Sequence, residues 1–163
     1  MSQRLYLVRH AVALPRDPAR WPEDSERPLS RGGERYFRRV ARGLARTVAP
    51  PEVVCSSPWL RAWETALILE SAGWPGPQVL PALAPGGDPE AVVATIPAEA
   101  GRVVLVGHEP DLGRLASFLL TGDPDRVSIE VKKGGVMLLD HDRDRARATL
   151  KWHAAPQFLR RIG

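Results

Sequence analysis

Four times between residues 5 and 120 a short apolar run gives way to apolar residues at helical spacing, and this alternation constrains the fold more than any other feature. The run at 5–8 ends in Arg9 and His10 and opens into a loop holding Pro15, Pro18 and Pro22. From Ser30, a residue suited to an N-cap, the positions Tyr36, Phe37, Val40, Leu44, Ala45 and Val48 predict a helix that Pro50 and Pro51 stop. Its other face is arginine-rich and solvated. Residues 52–56 predict a strand that turns through Ser57 and Pro58 into a helix over 60–72, closed by Gly73. A strand at 79–80 precedes a helix from Asp88 and Pro89 to about residue 96. A strand at 103–106 leads through Gly107 and His108 to a helix over 112–120, closed by Gly122. Parallel strands need crossover helices and then bury both faces, so the expected fold is α/β, a three-layer αβα sandwich on a mainly parallel sheet. Past Asp123, runs at 127–131, 136–139 and 148–152 predict edge or antiparallel strands. At 163 residues the chain is expected to form one domain, 1–163.

Composition removes several classes of function. No uninterrupted apolar run reaches the ~20 residues that span a bilayer, and the first residues lack a signal-peptide apolar stretch, so no membrane is expected and a cytoplasmic location is. The one cysteine, Cys55, cannot form an internal disulfide and reads as a small buried hydrophobe. The formal charge is +4 and nearly all basic residues are arginine, yet no basic run interleaves with stacking aromatics. A solvated basic surface is therefore expected, with no nucleic acid as partner and a monomeric chain.

Ligands of open α/β sheets bind beyond the carboxyl ends of the strands. Three strands deliver polar residues there: the first gives Arg9 and His10, the second leads through Ser56, Ser57 and Pro58 to Arg61, and the fourth leads to His108. Two imidazoles and two guanidiniums at one edge suit a doubly charged anion, because the planar guanidinium donates paired hydrogen bonds to phosphate and stays charged. A histidine in that setting can donate to a phosphoryl oxygen, or its lone pair can attack phosphorus. Each residue also has an ordinary alternative, such as a helix cap for His108 or a surface position for Arg61. It is their joint placement that points to chemistry.

The segments Leu7-Val-Arg-His-Ala11, Arg27-Pro-Leu-Ser-Arg-Gly-Gly33, Ser56-Ser-Pro-Trp-Leu-Arg-Ala-Trp-Glu-Thr65 and Val104-Leu-Val-Gly-His-Glu-Pro110 carry a resemblance. In this order and spacing the chain resembles the histidine phosphatase, or phosphoglycerate mutase-like, superfamily and within it the SixA-like phosphohistidine phosphatases. The resemblance implies a phosphoglycerate mutase-like fold and makes His10 a nucleophile that is transiently phosphorylated. Arg9, Arg61 and His108 then bind the phosphoryl group, with Ser57 or a nearby backbone amide assisting. It implies no cofactor and no metal.

Two positions depart from the family pattern. Ala11 replaces the usual glycine after the histidine, which a negative φ would tolerate, and Ala82 stands where many relatives carry a glutamate acting as general acid. An alkoxide needs a proton to leave, whereas an imidazole leaves easily from a P–N bond, so the missing acid favours phosphoramidates. Asp17, Asp24, Glu26 and Asp88 are the loop carboxylates within reach of an alternative acid role. With only the loop over 12–29 available to cover the pocket, the expected substrate is a phosphohistidine on another protein, such as a phosphotransfer-type domain. The alternatives are a small phosphorylated metabolite, or a recognition module that binds phosphate without turnover. Trp59 and Trp63, one turn apart near the proposed pocket, read as core for one of the two, with part of a docking surface as the alternative.

Overall fold

A computed structural model describes residues 1–163. Its six strands are β1 (Ser2–Arg9), β2 (Val53–Ser56), β3 (Pro77–Val79), β4 (Arg102–Gly107), β5 (Val136–Asp142) and β6 (Arg147–Ala154). They form one sheet in the order β3-β2-β4-β1-β5-β6. The strands β3, β2, β4 and β1 are mutually parallel, while β5 runs antiparallel to both β1 and β6. Helices α1 (Arg31–Thr47), α2 (Leu60–Ser71), α3 (Pro89–Thr95), α4 (Asp111–Thr121) and α5 (Pro156–Arg160) complete the sandwich. No helix is long and apolar enough to cross a membrane.

Side chains of a strand alternate between faces, and here each face meets its own set of helices. Tyr6, Val8, Val54, Val104 and Val106 join a cluster with Phe37, Val40 and Leu44 of α1, Ala66 and Leu69 of α2, and Leu159 of α5. Leu5, Leu7, Cys55, Val103 and Leu105 join the other, with Val92 of α3 and Leu112, Leu115 and Leu119 of α4. Both sheet faces are thus dry, which is why the central strands read as continuous apolar runs. Each fully buried Leu or Phe in these layers contributes roughly 1.5–3 kcal/mol of transfer free energy. Cys55 is buried among them, as expected.

The caps follow the sequence signals closely. Ser30 accepts from the Gly33 amide (2.9 Å) and Asp88 from the Ala91 amide (3.1 Å), while Gly73 and Gly122 take the positive φ that ends α2 and α4.

Three expectations need correction. The stretch 127–131 forms no strand, because β5 already occupies the free edge of β1 and side chains take up its backbone groups instead. The Val127 amide donates to Ser117 Oγ (3.0 Å), the Val131 amide to Glu109 Oε1 (3.0 Å), and the Val131 carbonyl accepts from Arg9 Nη1 (3.0 Å). Ala45 faces solvent, and Ala41 and Gly43 take its place on the buried side of α1. Gly43 is needed there because a Cβ would come within 2.0 Å of the Leu159 carbonyl of α5, a helix too short to show in the sequence pattern. Neither Trp59 nor Trp63 enters the core, since both are half-buried, and the aromatic rings packed on Tyr6 are Trp74 and Trp152.

Candidate active site

The chain order along the sheet reverses between β1 and β4, so the loops that leave their carboxyl ends diverge and open a crevice. Arg9 ends β1 and His10 follows it, held by its amide on the Gly107 carbonyl of β4 (3.0 Å). His108 follows β4 directly, and Ser57 follows β2 with its amide on the Val106 carbonyl (2.9 Å). Arg61 sits in the first turn of α2. All five residues singled out in the sequence come together at this edge. The His10 and His108 ring centroids are 5.2 Å apart, His108 Nε2 lies 2.8 Å from Ser57 Oγ, and Trp59 meets the His108 ring edge-on at 5.5 Å. The Arg61 guanidinium lies over the Trp59 ring, 4.7 Å from its centroid.

His10 Nδ1 is 2.7 Å from the Ala11 carbonyl, which can only accept, so Nδ1 carries the proton and Nε2 keeps its lone pair. Ala11 has a negative φ, so the departure from glycine is accommodated without strain. The Ala11 amide donates to Thr65 Oγ1 (3.0 Å), which in turn donates to the Arg61 carbonyl (2.7 Å). One buried hydroxyl therefore ties the backbone beside His10 to the turn that carries Arg61. Thr65 stood in the quoted sequence motif with no role attached to it.

The ring stays neutral at ordinary pH. Burial, reinforced by the charges of Arg61, Arg9 and Lys133 and opposed by the hydrogen bond to Ala11, pushes His10 down to about 4. Burial, then the charges of His10, Arg61 and Arg9, pushes His108 down to about 3. Arg9 Nε, Arg61 Nε and His108 Nδ1 are buried with no hydrogen-bond partner, although interior polar groups are nearly always paired. Three of the four such atoms in the molecule belong to this one cluster. An oxyanion with several acceptor oxygens answers that shortage.

The supporting carboxylates were not legible beforehand. Asp24 lies in a 3-10 turn (Asp24–Glu26) of the loop between β1 and α1 and reaches Arg61 across 37 residues of sequence. Its carboxylate is 3.2 Å from Arg61 Nη2, its carbonyl accepts from Arg61 Nη1 (2.9 Å), and Arg27 Nε binds its other oxygen at 2.7 Å. The hydrogen bond from Arg27, aided by the Arg61 charge against some burial, holds the Asp24 carboxyl below its ordinary range. Glu109 accepts from the Val131 and Gly113 amides and so fixes the strand-like segment whose carbonyl holds Arg9. Asp17 caps its own turn through the Ala19 amide (3.0 Å), and Asp88 caps α3. Asp111 lines a crevice with Ala82 and His108, and the Gly86 amide already donates to its Oδ2 (2.9 Å). No group of three or more His, Cys, Asp or Glu side chains is arranged to hold a metal ion.

Comparison with known proteins identifies the fold and the family. The sequence profile of the histidine phosphatase superfamily (branch 1) matches residues 5–84. An uncharacterized protein of Picosynechococcus sp. is 38% identical over 149 residues, covering 88% of each chain. Among solved structures, the protein histidine phosphatase SixA complexed with tungstate superposes with a TM-score of 0.83 at 27% identity, over 96% of this chain and 99% of that one. The mycobacterial glucosyl-3-phosphoglycerate phosphatase shares the fold, with a TM-score of 0.65 at 19% identity over 95% of this chain and 100% of that one. With a phosphoglycerate mutase-like sandwich and the family's motifs at its sheet edge, the chain belongs to the histidine phosphatase superfamily and is a phosphatase of the SixA-like kind.

Proposed function

We propose that residues 1–163 act as one domain that hydrolyses phosphohistidine on another protein, with His10 as the nucleophile and Arg9, Arg61 and His108 as the phosphoryl-binding groups. The observation that carries this reading is the neutral His10 ring, locked by Ala11 so that its lone-pair nitrogen is the free one, beside the unpaired Nε–H groups of Arg9 and Arg61 and the unpaired Nδ1 of His108. In the first step His10 Nε2 attacks phosphorus as the substrate P–N bond breaks, and the electron pair leaves on the substrate imidazole. That imidazole departs as a neutral ring when its other nitrogen already holds a proton. In the second step water attacks the phosphoryl group on His10, the new P–N bond breaks, and inorganic phosphate and free His10 result. The guanidiniums of Arg9 and Arg61 offset the charge on the phosphoryl oxygens in both steps, so the scheme assigns no role to a metal. Ser57 Oγ, bonded to His108 Nε2, supports His108 in its orientation.

The choice of a phosphoramidate over an ester rests on the carboxylates. Ala82 offers no proton, Asp24 is held ionised between two arginines, and Asp17, Asp88 and Asp111 already accept backbone amides. Of the four loop carboxylates only that of Glu26, exposed on the 3-10 turn, is engaged in no hydrogen bond or ion pair, so an alkoxide finds little help in leaving, whereas an imidazole leaving group needs no acid.

The test measures phosphate release from a phosphohistidine-bearing protein and from a simple phosphate ester, with EDTA present, in wild type and His10→Ala. Release from phosphohistidine that disappears in the variant is the expected result. Preference for the ester would move the substrate to small phosphorylated metabolites, and equal activity of His10→Ala would remove the nucleophile assignment.

A further inference from the structure

The most uneven feature of the surface lies on α1. Arg31, Arg35, Arg38, Arg39, Arg42 and Arg46 are all exposed, and at ~100° per residue their side chains fall within a ~100° arc opposite buried Phe37, Val40 and Leu44. None of the six forms a salt bridge, whereas Arg27, Arg61, Arg102, Arg114, Arg126 and Arg145 each meet a carboxylate. Arg38 reaches only Ser71 Oγ, and Arg46 only the Ile162 carbonyl. With six arginines and one glutamate, α1 alone carries more positive charge than the net +4 of the whole chain. Like charges four residues apart destabilise a helix, so the arrangement is costly to the isolated fold.

The stripe also begins on the side of the active site. Ser30, the N-cap of α1, bonds the Val12 carbonyl two residues past His10, so α1 starts beside the loop that leaves the nucleophile, and Arg46 lies about 22 Å further along the helix than Arg31. No stacking aromatic shares the arc, because Phe37 is buried and Tyr36 is covered by Arg160. That favours a protein over a nucleic acid as occupant. We infer that this face of α1 docks an acidic surface of the phosphorylated substrate protein and so presents its phosphohistidine to His10, an inference that rests on the function proposed above.

The test compares wild type, the triple variant Arg35→Gln, Arg39→Gln, Arg42→Gln, and the corresponding triple Lys variant, none of which alters the pocket. The two substrates are an acidic histidine phosphotransfer domain phosphorylated with phosphoramidate, and free phosphohistidine. The Gln variant should raise KM for the phosphodomain about tenfold at little change in kcat, leave free phosphohistidine unaffected, and be rescued by lysine. Wild-type KM for the phosphodomain should also climb between about 50 and about 300 mM NaCl, and that of the Gln variant should not. An unchanged KM in the Gln variant, while wild type uses the phosphodomain, overturns the docking surface alone. Equal losses on both substrates overturn it as well, since the arginines would then serve the fold or the pocket. Wild-type turnover of free phosphohistidine without any of the phosphodomain overturns the proposed function, and the docking surface with it. Salt-sensitive binding to duplex DNA that the Gln variant loses, at unchanged KM for the phosphodomain, would assign the stripe to nucleic acid.

Discussion

Acid should unfold this protein partly through His10, and replacing that residue should make the fold more tolerant of low pH. In the folded chain His10 titrates at about 4, against an ordinary 6.5 for an exposed imidazole. Between those values the unfolded chain binds a proton that the folded chain refuses, so stability present above pH 6.5 is lost as pH falls and the loss levels off near pH 4. At 1.36 kcal/mol for each pH unit, the His10 contribution comes to about 3 kcal/mol, with no discount for solvent because the side chain is 6% exposed. The assay is urea unfolding of wild type and His10→Gln at pH 7, 6, 5 and 4. Carboxylates titrate in both proteins and burial holds His108 below its ordinary range in both, but His10 adds to that depression, so the difference between the two curves reports His10 together with its effect on His108. Wild type should lose about 3 kcal/mol more than the variant between pH 7 and pH 4. Parallel curves, with the difference constant to within about 1 kcal/mol, would mean that folded His10 takes up its proton as an exposed imidazole does. The lone pair would then not be free under mildly acidic conditions, and the electrostatic account of the nucleophile would fail.

Asp24→Asn keeps the backbone acceptor for Arg61 but removes the charge, and kcat should fall about tenfold, the value of one charge-assisted hydrogen bond; unaltered turnover would show that Asp24 does not orient Arg61. Thr65→Val preserves shape but leaves the buried Ala11 amide without an acceptor, so unfolding free energy should drop by about 1–3 kcal/mol, with a matching loss of turnover seen by denaturation and steady-state kinetics. The adjacent pair Gly32→Ala and Gly33→Ala should behave oppositely. A Cβ at residue 32 meets nothing within 4 Å and should stabilise α1 by up to about 1 kcal/mol, whereas one at residue 33 lies 2.1 Å from the Val12 carbonyl and should cost about 3 kcal/mol or more in thermal unfolding.

The parts of this molecule that sequence disclosed are those written in local terms. Apolar runs ending in Arg9, Ser57 and His108 announce both a strand and what stands at its carboxyl end, and once the strands are parallel those ends must lie side by side. Capping residues such as Ser30, Asp88 and Gly122 act within a turn of themselves, so they too were readable. What was hidden depends on distance along the chain. The Asp24 carboxylate has no local signature that distinguishes a clamp on Arg61 from a free acid. The run at 127–131 has strand-like residues but no unpaired sheet edge to join, and a propensity is overridden when side chains such as Glu109 and Ser117 satisfy the backbone first. The arginine spacing on α1 was visible, but its lack of partners is a property of the folded surface.

The proposed chemistry also accounts for why two histidines, not one, lie among the cations. Without substrate, burial and the guanidinium charges keep both rings neutral, which suits His10 because only the neutral ring can attack. An arriving phosphoryl dianion opposes that field and favours protonation of any imidazole beside it. His10 is protected against this by its own geometry: Nδ1–H is committed to the Ala11 carbonyl, and Nε2 faces the phosphorus and is consumed by bond formation. His108 has no such commitment at Nδ1, which is buried and unpaired, so it is the ring that can take up a proton when the dianion binds and become a cationic donor to the phosphoryl oxygens. One set of arginines can thereby keep the nucleophile reactive before binding and leave its neighbour free to charge after it.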